Sequence, residues 1–185
     1  MDNGYASYRR FLDGDDDGIA CIIRDYKDGL IFYLYGICGN IATAEELMED
    51  TFVKLAIKKP HFKGNSSFKT WLYAIGRNVA LDHLRRESRM RTVSPDECAE
   101  LTDDGEELLS SYLKEERSIT VHRTMGKLCP DYRQVLWLVY FEEMTNQEAA
   151  TVMNKNNRQI ENLLYRAKRA LKSELEKEGF VYEEL

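Results

Sequence analysis

The sequence predicts an all-α protein of two small helical domains joined by a flexible acidic linker, with a helix-turn-helix in the second domain. Three observations support this prediction. Apolar residues recur at helical spacing on both sides of residues 92–105. That stretch holds Ser94-Pro95, many acids and few large apolar side chains, as linkers do. Beyond it, two capping-box patterns flank a short turn. We expect domains at 1–91 and 106–178 and an acidic tail at 179–185.

The composition is that of a soluble helical protein. Of 185 residues, 43% are hydrophobic and 31% are charged, which excludes a chain that is disordered throughout. The longest apolar runs, such as Leu30 to Leu34, are far shorter than the ~20 residues that a membrane span needs, and the N-terminus is acidic. We therefore expect a cytoplasmic protein without membrane insertion.

No catalytic or metal site is predicted. The four cysteines are scattered without a CxxC pair, so they are expected to be buried free thiols. Asp13 to Gly18 matches the opening of a calcium loop, but Arg24 stands where the closing Glu belongs, so we expect Asp16 or Asp17 to cap the next helix instead. Paired catalytic carboxylates, a nucleophile with its base and a phosphate-binding glycine loop are all missing, which argues against an enzyme, a cofactor or a small-molecule substrate.

The net charge of -6 conceals a strong asymmetry along the chain. Residues 54–91 hold ten Lys and Arg against two Asp and Glu, whereas residues 92–126 hold three against nine. Residues 127–175 hold eight against six. The basic block keeps nucleic acid open as a partner in spite of the acidic total.

Helical periodicity from Ile19 to Cys38 predicts one or two core helices, depending on whether Gly29 interrupts the run. Residues 43–56 form the next predicted helix, opened by a capping box of Thr43 and Glu46. Its buried side would hold Leu47, Leu55 and either Thr51 or Phe52. The other side is an acidic patch, either simply solvated or a docking surface, formed by Glu45, Glu46, Glu49 and Asp50.

A basic loop at 58–67 leads into the most informative helix, SFKTWLYAIGRNVALDHLRR. Pro60 and Gly64 mark the loop. In the helix, Leu72, Ile75 and Val79 form a core stripe, while another line along the cylinder, spaced by sevens, carries Trp71, Asn78 and Arg85. An aromatic ring, an amide and a guanidinium suit unpaired nucleic acid, although Trp71 in the core and a solvated basic helix end would explain the same residues.

The second domain begins with predicted helices at 106–126 and 127–144 and continues with a helix-turn-helix at 145–171. Thr145 with Glu148 and Asn156 with Gln159 form capping boxes, and Asn154 suits the left-handed turn between them. In the last helix Ile160, Leu163, Leu164, Ala167 and Leu171 pack inward. Its outward residues are Arg158, Gln159, Glu161, Asn162, Tyr165, Arg166 and Arg169. Such a helix enters a DNA major groove, but an ordinary helical hairpin has the same pattern.

Taken together, the motifs resemble a bacterial RNA polymerase sigma factor of the extracytoplasmic-function (ECF) class. The resemblance covers about 19–91 and 106–175. It rests on AEELMEDTFVKLA, FKTWLYAIGRNVALDHLRR, LCPDYRQVLWLVYFEEMTNQEAATVM and RQIENLLYRAKRAL, in that order. It implies a transcription initiation factor that binds core polymerase at the clamp helices and the flap, recognises promoter DNA at minus thirty-five, and melts it at minus ten. An anti-sigma factor as a further partner is left open.

The resemblance also implies residue roles. The polymerase-binding residues would be Glu45, Glu46, Glu49, Asp50 and Phe52. The minus-ten residues would be Phe62, Lys63, Asn65, Phe68, Lys69, Trp71, Tyr73, Arg77, Asn78, Arg85 and Arg86, with Phe62 to Asn65 around a flipped base and the last four on upstream duplex. The minus-thirty-five residues would be the seven outward residues of the last helix, Arg158 to Arg169.

This chain departs from the family pattern at several positions. Glu161, Asn162 and Leu163 stand where Lys, Ser and Arg are usual, so phosphate contacts are fewer and one acid is added. Ala149 replaces a larger aliphatic residue, and Asn154 replaces a Gly. Two alternatives therefore remain: a simple helix-turn-helix regulator, which leaves the aromatic-basic helix unexplained, and a sigma-like interaction protein that titrates polymerase or an anti-sigma factor.

Overall fold

The computed structural model describes residues 3–90, 116–177 and 179, and it contains helices and no β-strand among them. The all-α prediction is confirmed. The first domain consists of α1 (Asn3–Leu12), α2 (Asp17–Cys38), α3 (Ile41–Lys58) and α4 (Phe68–Met90). The second consists of α5 (Glu116–Met125), α6 (Pro130–Leu136), a π-helical turn (Trp137–Phe141), α7 (Asn146–Met153) and α8 (Asn157–Lys177). The predicted linker at 92–105, the helix start at 106–115 and the tail from 180 onward lie outside the described residues.

α2 is one uninterrupted helix whose C-terminal half is buried on every side. Residues 30–35 and Ile37 are all buried. A helix that is buried all round requires neighbours on more than one face, and α3, α4 and the second domain's α6 supply them. Gly29 lies inside this packing, where a Cβ would collide with the Glu142 carboxylate and the Tyr73 hydroxyl. Close approach of the second domain, and not a helix break, therefore accounts for this glycine.

α1 has no counterpart among the predicted helices. Its Tyr8 is fully buried, and the Tyr8 hydroxyl donates a hydrogen bond to the Pro60 carbonyl at 2.8 Å. Phe11 is buried beside it and contacts α2 where Gly18 allows the two backbones to approach. The i, i+3 spacing of Tyr5, Tyr8 and Phe11 is the signal that could have predicted this helix.

In the first domain the predicted capping box of α3 is wrong, whereas α2 has Asp16 at its N-cap as predicted but without a side-chain capping bond. α3 begins at Ile41, and its N-cap is Asn40, whose Oδ1 accepts a hydrogen bond from the Thr43 N–H at 2.9 Å. Thr43 is therefore inside the first turn, and it cannot form the N-terminal capping box. At the start of α2, Asp16 makes no side-chain capping bond, and Asp15 instead accepts from the Asp17 N–H at 3.0 Å.

The caps of the helix-turn-helix are confirmed. The Thr145 hydroxyl accepts from the Glu148 N–H at 3.3 Å, and Glu148 accepts from the Thr145 N–H at 3.0 Å. Asn154 ends α7 with φ of 52°. Asn156 and Gln159 then exchange hydrogen bonds of 2.8 Å between side chain and backbone in both directions. These bonds give the backbone N–H groups at the starts of α7 and α8 local hydrogen-bond partners. The turn therefore holds the two helices in a defined geometry.

The described parts of the two domains pack directly against each other. α2 contacts α6, and α4 contacts α7, so that one buried apolar cluster runs through both domains. The sequence predicted two separate domains and gave no sign of this contact. Among the described helices, none combines the length and the apolar character that a membrane crossing demands.

Candidate promoter and polymerase surfaces

The outward face of α8 is arranged as the sequence predicted. All seven residues assigned to it are exposed: Arg158, Gln159, Glu161, Asn162, Tyr165, Arg166 and Arg169. On the opposite face Ile160 and Ala167 are fully buried. Arg169 lies over the Tyr165 ring, with its guanidinium carbon 5.8 Å from the ring centroid. The arrangement presents three guanidinium groups and two amides in one row, which is the chemistry that phosphates and base edges require.

Glu161 is the one acid in that row. Its carboxylate accepts a hydrogen bond from the Asn157 amide, one turn earlier, at 2.8 Å. Both side chains are exposed, so this contact leaves the carboxylate accessible to a partner.

The acidic patch on α3 is exposed as predicted, with Glu45, Glu46, Glu49 and Asp50 all on the surface. The assignment of Phe52 to the polymerase-binding surface is wrong. Phe52 is only 5% exposed and belongs to the core with Leu47 and Leu55. Sequence reasoning missed two apolar residues beside the patch. Val53 and Ile57 are 52% and 72% exposed. They follow Glu49 at four-residue spacing, so the three lie on one line along the helix.

The loop between α3 and α4 carries Phe62, Lys63 and Asn65. Lys63 and Asn65 are exposed, and Gly64 between them takes a φ of +72°. Phe62 is half-buried, with its ring centroid 5.1 Å from those of both Tyr5 and Trp71. The loop is thus anchored at its one aromatic residue, and its polar residues extend into solvent.

Trp71 and Phe68 belong to an aromatic cluster that supports this loop. The Trp71 ring lies 5.5 Å from those of Tyr8 and Phe68, and it remains partly exposed. The assignment of Phe68 to the minus-ten DNA contacts is wrong. Phe68 is fully buried, so it packs inside the cluster and has no surface for DNA in this structure. Part of the Trp71 side chain therefore packs in the cluster, and part of it is exposed to solvent.

Three further residues predicted to contact minus-ten DNA are engaged inside the protein, and two of them, Lys69 and Arg77, bind the second domain. The Lys69 ammonium forms a 2.6 Å ion pair with the Glu142 carboxylate and donates to the Glu142 carbonyl at 2.9 Å. Tyr73 is buried at 1% exposure. The Arg77 Nε donates to the Gln134 side-chain oxygen at 3.0 Å. The prediction that these three face DNA does not hold in this conformation, because Lys69 and Arg77 are bound to the second domain and Tyr73 is buried, with its ring against that of Tyr33.

A polar network continues this interface at the start of α4. The carboxylate oxygen Glu148 Oε1 accepts from the Ser67 and Thr70 hydroxyls at 3.1 and 3.2 Å, while the other oxygen serves the capping box with Thr145. Partial burial opposes ionisation of Glu148, but these hydrogen bonds outweigh it and hold its pKa below the usual value. One carboxylate therefore caps α7 and ties it to the first domain.

His122 and Arg133 occupy the other end of the interface. Arg133 is buried and donates to the Gly36 carbonyl of α2 at 2.9 Å and to the Gly126 carbonyl at 3.0 Å. His122 is buried among Phe32 and Tyr35 of α2 and Trp137 and Phe141 of the second domain. Burial, with a smaller contribution from the Arg133 charge, lowers the pKa of His122 to about 4.

The remaining predicted residues lie in the middle of α4 and near its C-terminal end. Asn78, Arg85 and Arg86 are exposed. Arg85 pairs with the Asp82 carboxylate at 3.0 Å, and Arg86 donates to the Asp82 carbonyl at 3.3 Å. These are exposed local contacts, so the guanidinium groups remain available to a nucleic acid.

Comparison with known proteins now identifies the family. The Sigma-70 region 2 family model matches residues 22–90, and the Sigma-70 region 4 model matches residues 118–171. The RNA polymerase sigma factor YlaC of Bacillus subtilis is 30% identical over 165 residues, which cover 87% of this chain and 94% of that protein. The chain belongs to the sigma-70 family of RNA polymerase sigma factors. It is also similar to the ECF sigma factor SigW of Bacillus subtilis, at 27% identity over 88% of this chain and 91% of that one.

Solved structures share the fold of this sigma factor. The structure of CnrH in complex with the cytosolic domain of CnrY aligns with a TM-score of 0.66 at 21% identity, over 95% of this chain and 99% of that one. The co-crystal structure of the Bartonella quintana sigma factor RpoE with the anti-sigma factor NepR aligns with a TM-score of 0.56 at 20% identity, over 80% and 89%. The sequence prediction of an ECF-class sigma factor, a promoter-directing transcription initiation factor, is confirmed. The region 2 match begins at residue 22, so α1 precedes it.

Proposed function

We propose that this sigma factor docks on core polymerase through α3, reads the minus-thirty-five element with α8, and opens and reads the minus-ten element with the loop at 59–67 and α4. It performs no bond chemistry itself and acts in the cytoplasm, where the polymerase works. The observation that supports the proposal best is the exposed row on α8, which is opposed by a buried face and fixed by two capping boxes.

Docking through α3 combines charge with apolar area. Four carboxylates lie in the N-terminal half of α3, and the exposed Val53 and Ile57 side chains continue the line of Glu49 toward its C-terminus. Protein interfaces commonly have an apolar centre within a polar rim, and the acids suit a basic partner. We assign the contact to Glu45, Glu46, Glu49, Asp50, Val53 and Ile57, and we omit Phe52 because it is buried.

Promoter binding requires the two domains to separate. The two promoter elements are about 25 base pairs apart, which is roughly 85 Å at ~3.4 Å per base pair. A compact unit of about 150 residues has a radius of gyration of only roughly 15 Å. Packed together, the domains cannot reach both elements. Separation would also release Lys69 and Arg77 from the second domain, and we assign these two to melted and upstream DNA in the open state.

An anti-sigma factor is a further proposed partner. The Bartonella quintana relative was crystallised with one, although at 20% identity the likeness shows only a shared fold. A protein that stabilised the packed arrangement of domains would keep Lys69 and Arg77 away from DNA.

Reconstituted transcription tests the proposal. The chain is added to core polymerase, promoters are selected from a random library, and run-off transcripts are measured. Arg166→Ala should weaken binding to minus-thirty-five duplex and leave binding to the minus-ten strand unchanged, and Lys63→Ala should do the reverse. Lys172→Ala is the matched control because it removes an exposed cation of α8 outside the predicted row. Failure to bind core, or run-off without promoter preference, would overturn the proposal.

A further inference from the structure

A cavity of about 360 Å³ opens between α1 and the loop that precedes α4. Its lining residues are Tyr5, Phe62, Lys63, Gly64, Ser66 and Ser67. Tyr5 comes from α1, and the other five come from the loop. The lining thus combines two aromatic rings, one cation and three hydroxyl groups, one of which is the Tyr5 phenol, with no carboxylate among the six residues.

Tyr5 forms one wall of this cavity. Its side chain is 40% exposed, and its ring is tilted by 55° against that of Phe62 at 5.1 Å. Although Tyr5 contacts the loop, much of its ring is exposed to solvent. That part of the ring is available for contact with a ligand.

Several contacts fix the position of Tyr5 relative to the loop. One turn further along α1, the buried Tyr8 bonds the Pro60 carbonyl and packs on Trp71. Gly4, on the N-terminal side of Tyr5, approaches Phe68 so closely that a Cβ there would collide with the ring. α1 and the loop are therefore coupled on both sides of Tyr5, and the wall is preformed.

The chemistry of the cavity suits an unstacked nucleobase. A base that leaves the duplex loses its stacking neighbours, and aromatic side chains replace them. The two rings offer that surface, the Ser66 and Ser67 hydroxyls offer donors and acceptors to a base edge, and Lys63 offers charge to the adjoining phosphate. The volume is within the range of small-molecule sites, roughly 300–1,000 Å³.

We propose that Tyr5 is a positioning residue of the minus-ten pocket, against which, together with Phe62, an unpaired base of the melted strand stacks. The inference rests on the proposed role of the loop and adds to it a residue outside both matched family regions. α1 is then part of the DNA-reading surface as well as a support for the core.

The test uses the full chain assembled with core polymerase and a single-stranded minus-ten oligonucleotide. Stacking contributes ~1–3 kcal/mol per base, so Tyr5→Ala should weaken binding roughly 5- to 150-fold. Tyr5→Phe should keep most of the affinity because the ring remains. Leu12→Ala is the control, since Leu12 is 43% exposed on the same helix and does not line this cavity. Thermal unfolding verifies that each variant folds.

An abasic scan of the oligonucleotide separates stacking from indirect effects. At one position, removal of the base should lower affinity for the wild type and have little further effect on Tyr5→Ala. If the losses from Tyr5→Ala and from each abasic site are additive everywhere, or if Tyr5→Ala binds like Leu12→Ala, the inference is wrong. Phe62→Ala distinguishes failure of the inference from failure of the proposed function. If Phe62→Ala lowers the affinity for the oligonucleotide and Tyr5→Ala does not, only the inference is rejected. If the wild type does not bind the oligonucleotide, the minus-ten role itself is rejected.

Discussion

The Lys69 ammonium lies 2.6 Å from the Glu142 carboxylate, so a lysine predicted to contact melted DNA is paired with an acid of the other domain. The Glu142 side chain is only 5% exposed and also accepts a hydrogen bond from the Trp137 indole at 3.1 Å. A buried carboxylate without its cation would be strongly destabilised. If Lys69 binds a DNA phosphate as proposed, its ammonium must leave the Glu142 carboxylate, so DNA binding would compete with domain packing.

Glu142→Gln should therefore open the protein and raise its affinity for the minus-ten strand. The amide can still accept from Trp137, but it no longer attracts Lys69 by charge. Hydrogen bonds to charged groups contribute ~1.5–3 kcal/mol, which predicts roughly a tenfold or larger gain in binding by the free chain. Fluorescence anisotropy measures the affinity, and small-angle scattering measures the expansion.

The neighbouring Glu143→Gln supplies a control, since Glu143 is exposed and the substitution has the same charge change. Lys69→Gln adds a second comparison: it should open the domains like Glu142→Gln but should not gain DNA affinity, because the proposed DNA contact is also lost. Equal scattering profiles and affinities for Glu142→Gln and Glu143→Gln would contradict the argument.

Acid should weaken the protein through His122. Its pKa is about 4 in the folded chain, against ~6.5 when unfolded, so the unfolded state binds more protons between these values. The stability is fully present above pH 6.5 and is lost as the pH falls toward 4, by up to about 3 kcal/mol. The charged ring would also be repelled by the nearby Arg133 guanidinium of the same domain.

Urea unfolding of the wild type and His122→Phe at several pH values isolates this effect. Phenylalanine stays neutral among Phe32, Tyr35, Trp137 and Phe141, so its curve should lack the His122 contribution. His61→Gln is the matched control, because His61 is exposed. Parallel pH curves for the wild type and His122→Phe would contradict the assignment.

The sequence predicts correctly those features of the fold that depend only on residues a few positions apart. The reciprocal bonds of Thr145 with Glu148 and of Asn156 with Gln159 need only three-residue spacing, and the left-handed Asn154 needs only its own side chain. The outward row of α8 follows in the same way from helical periodicity. Such features are independent of what the helix packs against.

The failures have a non-local cause. Phe52, Phe68 and Tyr73 have residue types that suit a partner surface, and periodicity alone does not say which aromatic faces the core. Lys69 and Arg77 are bound by Glu142 and Gln134, which are more than fifty residues away in sequence. Local residue spacing cannot predict such contacts. Gly29 was interpreted as a possible helix break because the domain that approaches it is distant in sequence.

Loss of the α7 cap should destabilise the helix-turn-helix. Thr145→Ala removes the hydroxyl that accepts from Glu148 and should lower the free energy of unfolding by about 1 kcal/mol. Thr151→Ala is the same substitution inside α7, where the exposed hydroxyl only bonds the Gln147 carbonyl, and it should have little effect. Urea unfolding compares the two. Equal midpoints would show that the cap contributes nothing measurable.

The apolar residues of α3 should matter for polymerase binding and not for folding. Ile57 is 72% exposed, so Ile57→Asp should leave thermal unfolding nearly unchanged. If Ile57 is at the apolar centre of the docking surface, affinity for core polymerase should fall about tenfold or more. Lys58→Asp, one residue further along, is the control with the same introduced acid. Binding is measured by surface immobilisation of core, and equal affinities for the two variants would remove Ile57 from the interface.

If α8 binds the upstream element as proposed, we expect Glu161 to affect the strength or the sequence preference of that binding. If its carboxylate faces the DNA backbone, Glu161→Lys should increase affinity and should steepen the dependence of binding on salt, since each neutralised phosphate adds ~0.9 to the slope of log K against log salt. If it accepts from a cytosine amino group, the same change should lower sequence preference instead. Ser173→Lys adds a cation at an exposed site three turns further along α8 and controls for net charge. Duplex binding is titrated from low to high salt, and a slope that matches Ser173→Lys would exclude the phosphate placement.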